Sequence, residues 1–429
     1  MAENELQTAT DAIEQQGQDN LVIVVHASVG SGHRSAANAV AQALELLRDE
    51  PDSNVPADLQ IEVLDILDFG RIKFDGDKTA SMFVGATRPF YDITWRYTFT
   101  GRFLWGGGTI WSRIMFAPFT AYVAQKRPRA IVATHITAAN CAVAARMITG
   151  QEFPVISVPT DYETEGLWPH FYTDLFCVAS ESMAETLRAR KIPDERIRIT
   201  GIPTREDFRT PRDKDQTREM FGLPKDKHVA LALLGAYLPR PYLRLRETVR
   251  KALPYLHTLE NFHFVLVAGG DADYERELRR MCADLGIGNV TVLGYVNDVA
   301  ALMMASDLVV CKSGGLTVTE CLCAEAPMLL VGKAYGQEKI NVEMLTAAGA
   351  AMHVTTAREL VSSLRYLMNN PQSIDAMLTR ARVLRHPDAA RDIASAAIEL
   401  SDNPPEPGSK IRRKRFFHVY WGHRPAHVR

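Results

Sequence analysis

Short apolar runs alternate with helical patterns along the first half of the chain. The runs are LVIVVH, IEVLDIL, AIVAT, PVISV and DLFCVAS, and most of the segments between them repeat apolar residues at helical spacing. Buried strands that alternate with amphipathic helices are typical of a parallel sheet with helices on both faces. The first half of the chain therefore predicts one α/β domain.

The same alternation restarts in the second half. Its apolar runs are HVALALL, HFVLVAGG, NVTVLG, DLVVCKSGG and PMLLVG, and amphipathic segments such as YERELRRMCADLG separate them. Between the halves, in TGIPTREDFRTPRDKDQ, the apolar pattern lapses and prolines and charges cluster. We therefore predict two doubly wound parallel-sheet domains that face each other across a cleft, with ligands beyond the carboxyl ends of the strands.

The predicted domain boundaries follow these changes in pattern. Residues 1–20 are polar and acidic and are predicted to be disordered. Residues 21–203 form the predicted N-terminal domain and residues 204–385 the C-terminal domain. Residues 386–403 form a C-terminal helix that can return to the N-terminal domain, and residues 404–429 form a basic, aromatic tail.

Composition narrows the classes of protein that fit. The formal net charge of −2 argues against a general nucleic-acid binder, so no nucleic-acid partner is expected. The six cysteines lack paired metal-ligand spacing and are interpreted as reduced core residues. The chain begins without a signal-peptide pattern, and no apolar run reaches the roughly 20 residues that a membrane-spanning helix needs. We expect a cytoplasmic protein, or one attached to the cytoplasmic face of a membrane.

The first candidate site is the turn in VIVVHASVGSGHRSAANAV. Glycines at 30 and 32 permit a tight turn into a helix, whose first N–H groups can hold an anion. The turn lacks the GK[ST] ending of a Walker loop, and Ser35 replaces the third glycine of a Rossmann fingerprint. A helix start favours neutral imidazole, so His33 can accept a proton. A histidine that caps the helix or fills an interdomain gap fits the same pattern equally well.

A second candidate site lies in DLVVCKSGGLTVTECLCAEAPMLLVGKAYGQEKINVEML, residues 307–345. A helix start near Leu316 can receive phosphate oxygens, and Glu320 one turn later suits two ribose hydroxyls. Amide and carboxylate groups after the next strand can form hydrogen bonds with sugar hydroxyls. Together these features predict a nucleotide-sugar site, although each residue alone also fits a structural role. The candidate donor-binding residues are Gly235, Arg240, Ser313, Gly314, Gly315, Leu316, Thr317, Glu320, Gly336, Gln337, Glu338 and Asn341.

A metal-dependent alternative rests on Asp271 and Asp273 in AGGDADYERE. This DxD spacing resembles the manganese-binding pair of some glycosyltransferases, but it is common by chance. The two acids follow a buried strand and open a helix, which is typical of N-caps. We therefore expect no metal at these two acids.

Three segments together carry a resemblance to a known family. The GHR loop, GIPTREDF and KSGGLTVTECLCAEAPMLLVGKAYGQEKIN resemble the monogalactosyldiacylglycerol synthase and processive diacylglycerol glucosyltransferase family, relatives of MurG in family 28. The resemblance spans about Leu21 to about Leu400. It implies a GT-B fold and inverting transfer of a hexose from UDP-galactose or UDP-glucose to diacylglycerol. It also implies that the UDP-sugar is the co-substrate and that no active-site metal or other cofactor is needed.

The resemblance also implies residue roles. His33 matches the candidate base, Glu320 the ribose-binding acid, and Gln337 and Glu338 the positions that face the donor hexose. The segment VPTDYETEGLWPHFYTDLFCVAS keeps Asp161 and Trp168, but Glu165 stands where relatives commonly have histidine. The first loop of the second domain has only Gly235 where relatives have more glycines. We therefore expect either that Tyr237 and Arg240 cover uracil and pyrophosphate differently or that the donor differs.

A membrane-docking region is predicted between residues 82 and 122. This segment combines tryptophans, other aromatic residues and arginines with few acids, which suits the headgroup layer of an anionic membrane. A filled core with an insertion loop is the alternative interpretation. The tail over residues 408–429 is a second candidate, with RNA contact or disorder as its alternatives. The candidate acceptor and membrane residues are Gly32, Trp95, Arg96, Arg102, Trp105, Trp111, His135, Asp161 and Trp168.

Other functions remain open at the level of sequence. A MurG-like transferase that acts on a polyprenyl-linked or small acceptor would share the same donor half. A UDP-sugar 2-epimerase also uses two α/β domains, but it would need no acceptor. A catalytically silent protein that binds lipid surfaces would keep the fold without turnover, and the altered loop at Gly235 keeps that alternative open.

Overall fold

The chain folds into two units of similar architecture. A computed structural model describes residues 20–71, 112–163, 168–169, 172–235, 243–334 and 337–403. The first unit takes in residues 1–205 and 388–429, and the second takes in residues 206–387. The chain thus crosses to the second unit after Arg205 and returns at Asp388.

The first unit is a six-stranded sheet in the order β2-β1-β3-β4-β5-β6, with every neighbouring pair parallel. Its elements are β1 (Leu21–His26), α1 (Ser31–Asp49), β2 (Gln60–Asp65), α2 (Ala117–Lys126), β3 (Ala130–Ala133), α3 (Ile136–Thr149), β4 (Val155–Ser157), β5 (Leu175–Val178), α4 (Glu181–Ala189) and β6 (Ile197–Ile199). All six residues of β1 are buried, as expected for a central strand covered on both faces.

The second unit repeats this design. Its elements are α5 (Lys214–Met220), β7 (His228–Leu233), α6 (Leu243–Leu256), β8 (Phe262–Val267), α7 (Ala272–Asp284), β9 (Val290–Leu293), α8 (Val299–Met304), β10 (Leu308–Cys311), α9 (Gly315–Cys323), β11 (Met328–Val331), α10 (Gln337–Ala347), β12 (Ala351–Val354), α11 (Ala357–Asn369) and α12 (Gln372–Leu384). The strand order is β12-β11-β10-β7-β8-β9, again all parallel. The predicted pair of doubly wound parallel sheets is confirmed.

The last described helix completes the first unit. Helix α13 (Ala389–Asp402) packs on α1, and its Ile393 and Ala397 are fully buried in the same core as Val40 and Leu44. At its C-terminal end Ser401 Oγ accepts a hydrogen bond from the guanidinium of Arg129 at 2.9 Å. Buried apolar contacts therefore tie the end of the described chain to its beginning.

One predicted strand is shorter than its apolar run. The run IEVLDIL was expected to be extended throughout, but β2 ends at Asp65 and residues Ile66–Phe69 form a 3₁₀ turn. The cause is local, because Asp65 Oδ1 accepts the backbone N–H of Leu67 at 3.0 Å and so caps that turn.

The topology fixes where ligands are expected in each unit. In an open parallel sheet the crevice lies at the carboxyl ends of the two strands from which the chain proceeds in opposite directions. Those strands are β1 and β3 in the first unit, and β7 and β10 in the second. No helix among the described residues combines the length and the apolar character that crossing a membrane requires.

Candidate functional site

His33 lies at the carboxyl ends of β1 and β3. The chain leaves β1, turns at Gly30 and enters α1, in which His33 is the third residue. Gly30 has φ of 86°, a left-handed conformation that glycine adopts without strain, and no side chain caps the helix start. The glycine-rich turn therefore brings an imidazole to the crevice of the first sheet.

Two threonines hold the His33 ring. Its Nδ1 lies 3.0 Å from the carbonyl oxygen of Thr134 and 2.8 Å from Thr160 Oγ1. The Thr134 hydroxyl also donates to the His33 carbonyl at 2.9 Å. Because a carbonyl oxygen can only accept, the hydrogen of the neutral ring belongs on Nδ1 and the lone pair on Nε2. The ring is thus held in the tautomer that makes Nε2 the basic atom.

His135 lies beside His33. The ring centroids are 4.6 Å apart and the planes meet edge to face at 83°. His135 is the N-cap of α3, and its Nδ1 accepts the backbone N–H of Thr137 at 3.1 Å. Burial, and then the neighbouring His33 and His26, hold the pKa of His135 well below the usual histidine value. His135 is therefore neutral at pH 7.

A third histidine lies close enough to His135 to affect its pKa. His26 ends β1 and is nearly fully buried, and burial lowers its pKa, with Arg34 adding to the effect and Asp65 opposing it. Within the part of the chain that the structure describes, its Nδ1 has no hydrogen-bond partner. His26 is thus a buried, neutral ring at the carboxyl end of β1.

The other acceptor-side candidates differ in their placement. Gly32 and Asp161 are half-buried, near the start of α1 and after β4 respectively. Trp168 is a core residue, because only 5% of it is exposed and its ring packs edge-on against Phe176. Its acceptor role stays a prediction. The membrane candidates Trp95, Arg96, Arg102, Trp105 and Trp111 lie outside the described residues, as do Glu165 and the tail from residue 404.

In the second unit, the loop after β10 leads directly into α9. Gly314 is the N-cap, and no side chain caps this helix start. The Ser313 side chain and Gly315 are buried, whereas Leu316, Thr317 and Glu320 are half-buried. This helix start follows β10, one of the two strands at the switch point of the second sheet, and its backbone N–H groups can stabilise a phosphate.

A lysine that sequence reasoning overlooked lies at the same place. The Lys312 ammonium would lie 3.2 Å from a Cβ built on Gly314, and it lies 3.9 Å from the Glu338 carboxylate. Lys312 is 29% exposed and Glu338 is 16% exposed. One cation and one anion, both partly screened from water, thus flank the start of α9.

Asn341 connects the two halves of the predicted donor site. It is fully buried, and its Nδ2 donates to the carbonyl oxygen of Ser313 at 2.9 Å. This contact gives Asn341 a positioning role, in which α10 is fixed against the loop before α9. Gly336 and Arg240 lie outside the described residues, as does the side chain of Gln337.

Gly235 is explained by packing between loops. A Cβ at Gly235 would lie 2.4 Å from the Cα of Gly269. The loops after β7 and β8 can therefore come this close only because both residues at the contact are glycines. Arg246 secures the same region, because its guanidinium donates to the carbonyl of Leu234 at 2.8 Å and to Asp271 at 2.7 Å. Packing therefore requires glycine at position 235 whether or not this loop binds the UDP-sugar.

The two acids of the DxD pair have different structural roles. Asp271 Oδ1 accepts the backbone N–H of Tyr274 at 3.0 Å and caps α7, and Asp273 is exposed and pairs with Arg276. Across the described ranges, no group of three or more histidines, cysteines or acids is arranged to hold a metal ion. The prediction that these acids are N-caps is confirmed for Asp271.

Two family models match the chain, one on each unit. The model described as monogalactosyldiacylglycerol (MGDG) synthase matches residues 33–204, and the glycosyltransferase family 28 C-terminal domain matches residues 241–393. A processive diacylglycerol beta-glucosyltransferase of Bacillus licheniformis is 28% identical over 228 residues. That match covers 53% of this chain and 58% of the relative, so it spans little more than half of either protein.

Solved structures share the fold at low identity. MurG of Acinetobacter baumannii is 19% identical with a TM-score of 0.56, over 89% of this chain and 99% of that one. A putative UDP-N-acetylglucosamine 2-epimerase of Listeria monocytogenes is 16% identical with a TM-score of 0.58, over 90% and 98% of the two chains. These similarities confirm the predicted GT-B fold and establish the fold alone.

Proposed function

The chain belongs to the family 28 glycosyltransferases of the monogalactosyldiacylglycerol synthase group, and on that premise we propose that it is an inverting hexosyltransferase. It moves galactose or glucose from the corresponding UDP-sugar to the hydroxyl of diacylglycerol and so makes a glycolipid. The relative from B. licheniformis carries the name of a diacylglycerol glucosyltransferase, which supports this acceptor.

The observation that carries this proposal is the 3.0 Å contact between His33 Nδ1 and the carbonyl oxygen of Thr134. The carbonyl of Thr134 places the ring hydrogen on Nδ1, so Nε2 can take the proton of an acceptor hydroxyl. The acceptor oxygen then forms a bond to C1 of the hexose while the bond from C1 to the UDP oxygen breaks. Attack from the face opposite UDP inverts the configuration at C1, and UDP leaves with the electron pair.

The second unit supplies groups that suit the donor. The departing diphosphate gains negative charge, and the backbone N–H groups from Ser313 to Thr317 can stabilise it at the start of α9. Lys312 adds a positive charge beside Gly314. Glu320, half-buried in the same helix, is assigned to the ribose hydroxyls, and Gln337 and Glu338 at the start of α10 are assigned to the hexose.

The acceptor dictates a place for the reaction. Diacylglycerol resides in a membrane, so the enzyme works as a peripheral protein on the cytoplasmic membrane face. Anionic lipid would attract the arginines of the predicted docking segment while its tryptophans enter the headgroup layer. Trp95, Arg96, Arg102, Trp105 and Trp111 are the residues assigned to this contact.

A product assay tests the proposed function. The purified protein is incubated with UDP-galactose, UDP-glucose or both, with and without vesicles that contain diacylglycerol and phosphatidylglycerol. Mass spectrometry of the lipids is expected to show diacylglycerol with one or more added hexoses, and UDP release is expected to depend on diacylglycerol. Free sugar or an epimer without acceptor would identify an epimerase. Transfer only to a polyprenyl-linked acceptor, or no turnover at all, would also overturn the proposal.

A further inference from the structure

The Nδ1 atoms of the two neighbouring histidines in the first unit have opposite hydrogen-bonding roles. His33 Nδ1 contacts a carbonyl oxygen, that of Thr134, at 3.0 Å. His135 Nδ1 contacts a backbone N–H group, that of Thr137, at 3.1 Å. A carbonyl must accept and an N–H must donate, so the protein backbone determines the position of the hydrogen on each ring.

Opposite tautomers follow for the two rings. In His33 the hydrogen is on Nδ1, and Nε2 carries the lone pair. In His135 Nδ1 carries the lone pair, and Nε2 carries the hydrogen. The low pKa of His135, caused first by burial, keeps this ring neutral and preserves the difference at pH 7. The crevice thus contains one imidazole that accepts a proton and one that donates a hydrogen bond.

An alcohol has the complementary pair of groups. Its oxygen carries one hydrogen to donate and lone pairs to accept. The ring centroids are 4.6 Å apart, which is short enough for one oxygen atom to lie within hydrogen-bond distance of both rings. We infer that His135, one of the predicted acceptor residues, donates a hydrogen bond from Nε2–H to the reacting hydroxyl oxygen while His33 Nε2 accepts the hydrogen of that hydroxyl. This inference rests on the proposed function and adds the recognition of an alcohol by both of its polar groups.

The assigned contact has a consequence for the chemical step. When the O–H bond breaks, its hydrogen goes to His33 Nε2 and the oxygen bonds to C1 of the hexose with one electron pair. The hydrogen bond from His135 engages a second lone pair of the acceptor oxygen. It thereby orients that oxygen so that its reacting lone pair faces C1 of the hexose. His135 keeps its own hydrogen throughout, because its Nδ1 stays engaged with Thr137.

Two substitutions at position 135 separate this role from the capping role. His135→Asn keeps a short side-chain oxygen that can accept from Thr137 N–H, because asparagine is a favoured N-cap, but it lacks a donor at the position of Nε2. His135→Gln places an amide donor near the position of Nε2 but is a poor cap. We expect His135→Asn to unfold at the wild-type temperature and His135→Gln to unfold at a lower one.

The kinetic test measures glycolipid formation with diacylglycerol vesicles. His135→Asn is expected to lower kcat/KM for diacylglycerol about five- to tenfold, with the KM for the UDP-sugar unchanged, and His135→Gln is expected to recover most of that loss. Wild-type kinetics for His135→Asn, or equal losses in both variants, would overturn the inference. If the wild-type protein itself makes no glycolipid in the same assay, the proposed function fails instead.

Discussion

The imidazole of His33 and the hydroxyl of Thr160 are in direct contact, with 2.8 Å between Nδ1 and Oγ1. Thr160 is buried after β4, so it can help to keep the ring in place. Replacing Thr160 with valine keeps the shape and removes the hydroxyl. A hydrogen bond of this kind contributes about 0.5–1.5 kcal/mol, so kcat is expected to fall by about two- to twelvefold.

Thr160→Ser serves as the matched control, because it restores the hydroxyl. It is expected to keep most of the wild-type kcat, while both variants bind UDP-sugar as the wild type does. The assay is UDP release at saturating donor and acceptor. Equal kcat values for valine and serine at this position would mean that the contact does not position the base.

Lys312 is expected to stabilise the diphosphate of the donor. Charge-assisted hydrogen bonds contribute about 1.5–3 kcal/mol, so Lys312→Gln should lower kcat/KM for the UDP-sugar by about ten- to a hundredfold. Lys339→Gln is the control, because Lys339 is mostly exposed and pairs with Glu343 within α10. Similar kinetics for the two variants would remove Lys312 from the donor site.

Glu320 is expected to contribute to binding of the UDP-sugar, and its substitution is expected to leave the rate of the chemical step unchanged. Glu320→Gln keeps the size of the side chain and removes its charge, which weakens hydrogen bonds to the ribose hydroxyls. The dissociation constant for UDP, measured by calorimetry, should rise about tenfold, while kcat at saturating donor stays near the wild-type value. An unchanged affinity for UDP would contradict the ribose assignment.

The stability of the second unit is expected to depend on Asp307. Burial alone would raise the pKa of this carboxyl, but Lys214, the backbone N–H of Val229 and Arg218 outweigh it and hold the pKa below the usual value. A lowered folded-state pKa stabilises the fold above the unfolded-state value, near 3.9, and the contribution is lost as the pH falls through the folded-state pKa.

Asp307→Asn should therefore lower the free energy of unfolding by about 3 kcal/mol at pH 7, because the buried Arg218 loses its anion. The difference from wild type should narrow below about pH 4. Urea unfolding across this pH range measures both effects, with the exposed Asp284→Asn as the control. A difference that stays constant down to about pH 3 would show that ionisation of Asp307 is not the cause.

The sequence predicted the central strands and the helix starts better than the sheet edges. Buried apolar runs such as β1 are unmistakable because both faces of a central parallel strand are covered. Among the described residues four strands lie at sheet edges, and β2 and β9 were predicted. The other two, β6 and β12, did not stand out, because the residues of β6 are half-buried or exposed and β12 contains the exposed His353. The pattern of apolar residues alone does not separate such short edges from loops.

The sequence singled out His33 as a candidate but did not reveal the contacts that hold its ring. His33 stood out because a histidine at a glycine-rich helix start is unusual, but the tautomer depends on Thr134 and Thr160, more than 100 residues away in the chain. The threonines that end AIVAT and follow PVISV were visible in the sequence, and a parallel sheet places both at one edge. Lys312 was overlooked because its neighbour Glu338 belongs to a different helix.

His33→Ala tests the central assignment most directly, through the rate of UDP release at saturating UDP-sugar and diacylglycerol. Loss of a positioned base is expected to lower this rate by about 10²- to 10⁴-fold, while calorimetry gives the wild-type affinity for the UDP-sugar. A rate within about threefold of wild type, with donor binding intact, would contradict the assignment of His33 Nε2 as the base that activates the acceptor hydroxyl.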